Sequence, residues 1–104
     1  MTENSTVGDD VIAEEREQHA VILRVVADLH AAYGRGVNLD ISAESFGPTV
    51  LSMTAGQGYS LAVAFWDDGE VFFTIQGVTR RPGTRVESLA LIREFIHRHG
   101  KGAR

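Results

Sequence analysis

The chain has 104 residues, 43% of them hydrophobic and 23% charged, the make-up of one ordinary globular domain with a core of its own. It contains no cysteine, which excludes both a disulfide framework and a thiolate metal site. A formal net charge of −4 argues against general nucleic-acid binding, and no apolar run approaches the roughly 20 residues of a membrane span.

Acids stand where a secretory leader needs basic residues, so the expectation is a cytoplasmic protein. Arginine outnumbers lysine nine to one, a skew expected of a GC-rich bacterial coding sequence. Charge is uneven along the chain. Residues 1–50 carry a net −6 and residues 51–104 a net +2. Two differently charged, solvated helices explain this; the sharper reading is an acidic first helix offered to a basic partner.

Residues 1–8 are polar and patternless and read as a tail. Asp9 or Asp10 can cap a first helix, with Glu14, Glu15 and Glu17 in its early turns, where the helix dipole favours negative charge. At 100° per residue Val21, Ile22, Val25, Val26, Leu29, Ala32 and Tyr33 form one apolar stripe. Glu14, Glu15 and Gln18 continue it, so the first turns should run past the core or meet something else. Gly34 and Gly36 end the helix.

From Val37 to Val78 apolar and polar residues alternate, the mark of a sheet with one buried face. The turns set its register. A three-residue loop at Asp67-Asp68-Gly69 pairs Phe65 with Val71 and keeps Leu61, Val63, Phe65, Val71, Phe73 and Ile75 on one face. The same reasoning at Gly56-Gln57-Gly58 pairs Ala55 with Tyr59 and Leu51 with Val63, and Val37, Leu39 and Ile41 join that face. Thr79–Gly83 reads as the exit from the sheet. Thr84 and Glu87 then form a capping box, Leu89, Leu91, Ile92, Phe95 and Ile96 an apolar face, and Gly100 a stop. The expected fold is α+β: a two-layer sandwich, αββββα, with a four-stranded antiparallel meander and both helices on one face. Residues 9–100 make the single domain and 101–104 a C-terminal tail.

Catalytic chemistry finds no foothold. His19 and His30 lie about 16 Å apart along one helix, too far to share a small metal ion. His97 and His99 point about 200° apart on the last helix, with no carboxylate at a ligand offset. No serine sits in a nucleophile-elbow context, and the Asp67–Asp68 pair is explained by its hairpin. The chain therefore reads as a non-enzyme with no metal and no cofactor.

Three surfaces remain. The outward sheet face displays Ala62, Ala64, Thr74 and Gln76, with Trp66 and Phe72 at one end as aromatic anchors for a protein contact. Glu14, Glu15 and Glu17 form the acidic alternative. Arg80, Arg81 and Arg85, around the capped helix start, are the best anion-binding candidates. The expected function is protein binding to one partner, by class analogy an immunity protein neutralising a toxin, with a secretion chaperone for an effector as the alternative. A second copy of the chain on the open sheet face is a further expectation. A nucleic-acid or phage regulatory domain built on the arginines is the rival of a different kind.

Overall fold

The computed structural model describes the backbone of residues 3–43 and 47–101, with side chains from residue 13 onward. It is an α+β fold in the order α1 (Glu3–Tyr33), β1 (Val37–Ala43), β2 (Thr49–Ala55), β3 (Tyr59–Phe65), β4 (Val71–Ile75), β5 (Thr79–Gly83) and α2 (Arg85–His99). The strands form one antiparallel sheet in sequential order, β1-β2-β3-β4-β5.

The register follows from burial and turn chemistry. Phe65 pairs with Val71, and Trp66 N–H donates to Glu70 O across the Asp67–Gly69 loop, where Gly69 takes φ 91°. Ala55 pairs with Tyr59, Met53 with Leu61 and Leu51 with Val63. One sheet face thereby collects Val37, Leu51, Met53, Ala55, Leu61, Val63, Phe65, Val71 and Phe73 into the core, closed by Val26 of α1 and by Ile92, Phe95 and Ile96 of α2. Both helices lie on that face. Ile41 is the exception: it stands on edge strand β1 and stays 41% exposed.

Among the described residues the sheet has five strands, not four. Thr79–Gly83 continues it, pairing Phe72 with Pro82, Phe73 with Arg81 and Thr74 with Arg80. An edge strand needs hydrogen bonds on one side only, so Pro82 is tolerated there. Arg81 takes the place of an apolar residue by laying its guanidinium 4.9 Å from the centre of the Phe73 ring. Gly83 is required by close approach, since a Cβ there would run into the same ring.

Helix α1 differs from expectation at its start and in its facing. It begins at Glu3, so Asp9 and Asp10 lie inside it and cannot cap it. Extending a nucleated helix costs far less than starting one, and no proline interrupts residues 3–10. At 31 residues it is about 46 Å long, longer than any strand here. The face it buries runs through His19, Ile22, Leu23, Val26 and Leu29, while Val21 and Tyr33 are more than half exposed. Among the described residues no helix is long and apolar enough to cross a membrane.

Helix α2 starts as its sequence requires. Glu87 N–H donates to Thr84 Oγ1 at 3.1 Å and Thr84 N–H to the Glu87 carboxylate at 3.2 Å, and Gly100 N–H closes the far end on Ile96 O.

Candidate protein-contact face

With both helices on one side of the sheet, no other described element covers the second side. Its cross-strand neighbours form three rows. The first runs Ser42, Val50, Ala64, Phe72, Pro82; the second Asp40, Ser52, Ala62, Thr74, Arg80; the third Asn38, Thr54, Ser60. The first row is largely apolar and the second polar, with opposite charges at its two ends. In the third row Asn38 Nδ2 donates to Thr54 Oγ1 at 3.3 Å. Val50, Ala62, Ala64, Phe72 and Thr74 are half-buried by their neighbours in the sheet.

Phe72 is the largest side chain of the apolar row. Arg80 lays its guanidinium 5.2 Å from the ring centre, which holds a cation above the open face. Trp66 follows β3 on the same side by alternation, and it is half-buried rather than exposed. Its indole Nε1 is enclosed and has no acceptor among the described residues. Gln76 is committed to the neighbouring strand end: Ser60 N–H donates to its Oε1 at 2.8 Å, and its Nε2 donates to Gly58 O at 2.9 Å. It also holds φ 56° beside Gly77 at 69°, the positive pair that a type I′ turn demands.

The structure places the remaining candidates elsewhere. Glu14 and Glu17 are exposed on α1, but Glu15 turns toward the sheet and forms an ion pair with Arg85. Its neighbour Arg16 pairs with Asp67 at 2.7 Å. The first of these ion pairs ties α1 to the head of α2, and the second ties it to the β3–β4 turn. The guanidinium of Arg16 holds the Asp67 carboxyl below its ordinary range, and Asp67 in turn raises Arg16. Arg80, Arg81 and Arg85 do not share a surface. Arg80 stands on the open face, Arg81 reaches Glu87 at 3.3 Å on the helix side, and Arg85 is taken by Glu15.

His19 is buried at 4% exposure with its ring 5.0 Å from that of Phe65, and its Nε2 has no partner among the described residues. Burial lowers its pKa, as does nearby Arg85, against the opposing pull of Glu15 and Asp67. His30 Nε2 lies 2.6 Å from Val37 O, tying the end of α1 to β1. Among the described residues no group of three or more His, Asp or Glu side chains is placed to hold a metal ion. A shallow hollow of about 310 Å³ between the helices, at Leu29, Tyr33 and Ile96, has a mainly apolar lining.

Arg80 and Pro82 belong to the open face and are not anticipated from the sequence. Only the alternation Arg80, Arg81, Pro82 against Phe72, Phe73, Thr74 signals them, and it carries no apolar period. No family model, curated protein or solved structure matches this chain.

Proposed function

We propose that the chain is a non-enzymatic protein-binding domain whose contact surface is the open face of the sheet. The observation that carries this reading is the apolar row Val50, Ala64, Phe72, Pro82, with Trp66 beyond it, on a face that neither helix covers. Small side chains let another chain approach closely, and an aromatic at one end supplies the anchor that such contacts depend on. Polar residues flank the row on one side, the layout of an apolar patch with a wet rim.

Within that class, an inhibitor neutralising a toxin is the role we favour. Glu14 and Glu17 are exposed on the helix that outruns the sheet, and acids in that position steer a basic partner. Capture from an extract of the native cells tests the reading. Wild-type bait retains a partner protein after nuclease treatment, and Phe72→Asp bait loses it. A partner released by nuclease, or retained equally by Phe72→Asp, contradicts it.

A further inference from the structure

The two rims of the open face carry opposite charges. Asp40 on edge strand β1 and Arg80 on edge strand β5 stand in the same cross-strand row, linked through Ser52, Ala62 and Thr74. Four strand spacings of about 4.8 Å put them roughly 19 Å apart. Both are exposed, and neither has an ion-pair partner among the described residues.

When two copies meet face to face with their strands aligned, a two-fold axis in the interface plane runs either across the strands or along them. An axis across the strands stacks β1 on the partner copy's β1. Passing through the Asp40–Arg80 row, it opposes Asp40 to Asp40 and Arg80 to Arg80 and lays the apolar row on the third row of Asn38, Thr54 and Ser60. An axis along β3 keeps each row over itself and sets β1 over the partner copy's β5. Every Asp40 then faces an Arg80, twice by symmetry. Arg80 swings off the Phe72 ring to reach the partner copy's Asp40; Val50 then lies over Phe72, and Ala64 over Ala64 on the axis, so large side chains meet smaller ones where the sheets must close to about 10 Å. Like charges are opposed in the first arrangement and unlike charges in the second.

We propose that the occupant of the open face is a second copy of this chain, docked about a two-fold axis along β3 with reciprocal Asp40–Arg80 pairs at the rims. This rests on the reading of the face as a protein contact and names its partner. The size fits. Five strands about 4.8 Å apart and some 20 Å long present on the order of 500 Å² each, or about 1,000 Å² for the pair, the lower bound of a specific interface. The dimer is therefore reversible and concentration-dependent, not obligate.

Sedimentation of the full chain over a range of concentrations, with charge swaps, tests this. Wild type dimerises reversibly. Asp40→Arg and Arg80→Asp each place like charges face to face and weaken the dimer by about tenfold or more, while the double variant Asp40→Arg/Arg80→Asp regains it to within about threefold. Phe72→Asp abolishes the dimer with its helix content unchanged. A dimer indifferent to Phe72→Asp, or a double swap as weak as the single ones, overturns the proposal. A wild-type chain that stays monomeric overturns it as well. In that case the contact-surface reading still stands if Phe72→Asp loses a captured foreign protein, and falls if it does not.

Discussion

Glu15 on α1 and Arg85 at the head of α2, seventy residues apart in the chain, form an ion pair that joins the two helices beside the β3–β4 turn. Both side chains are largely shielded, at 21% and 32% exposure. The long first helix is thus held at its middle as well as packed along its second half. Glu15→Gln should lower stability by about 1 kcal/mol, above the median for exposed pairs because of the shielding. A double-mutant cycle with Arg85→Gln should show coupling of similar size; additive single effects would mean the pair does nothing for the fold.

His19 sits one helical turn along from that pair, against Phe65 and near Arg85, Glu15 and Asp67. Its pKa lies below the ordinary 6.5 in the folded chain, so the unfolded chain takes up the proton first as pH falls. The stability tied to a neutral His19 is therefore complete above about pH 6.5 and is lost as pH drops toward the folded value. Urea midpoints between pH 8 and 5 should fall for wild type, and His19→Phe should remove most of that slope. Equal slopes in the two proteins would contradict the assignment.

Phe73 is fully buried at the centre of the core and also carries Arg81 and Gly83 against its ring. Phe73→Ala should cost about 3–5 kcal/mol. Gly83→Ala should also destabilise, because the added methyl meets that ring, whereas Gly58→Ala meets no neighbouring atom and pays only for its left-handed backbone. Chemical denaturation of the three variants checks the order.

Thr84→Ala removes the hydroxyl that accepts from Glu87 N–H and should lower stability by about 1 kcal/mol. Thr84→Ser should recover most of it. An unchanged midpoint in Thr84→Ala would show that the box contributes nothing to α2.

Much of this architecture is legible in the residues because two independent signals agree at the same place. At Asp67–Gly69 the turn chemistry and the burial of Phe65, Val71 and Phe73 permit one register only, and at Thr84–Glu87 the capping pair marks the helix start. Where a signal stands alone, it misleads. Strand β5 has no apolar alternation, because Arg81 does the covering that a leucine or valine would do elsewhere. The facing of α1 is rotated from the expected stripe, with Leu23 against the core and Val21 outside, because Val21, Ile22 and Leu23 are consecutive apolar residues that span about 200° of the helix. The Glu15–Arg85 and Arg16–Asp67 pairs span 70 and 51 residues and leave no local pattern. The open face is legible through Trp66 and Phe72, but its charged ends are not, since Arg80 joins it only once β5 is known.

Radical footprinting of Phe72 is the most direct test of whether the open face is a protein contact. In an extract of the native cells, Phe72 and Pro82 should be labelled several-fold less than in dilute purified protein, while Tyr33, 57% exposed on the helix side, is labelled equally in both. Equal labelling of Phe72 in extract and in dilute solution would show that nothing covers the face, and the account of its function would fail.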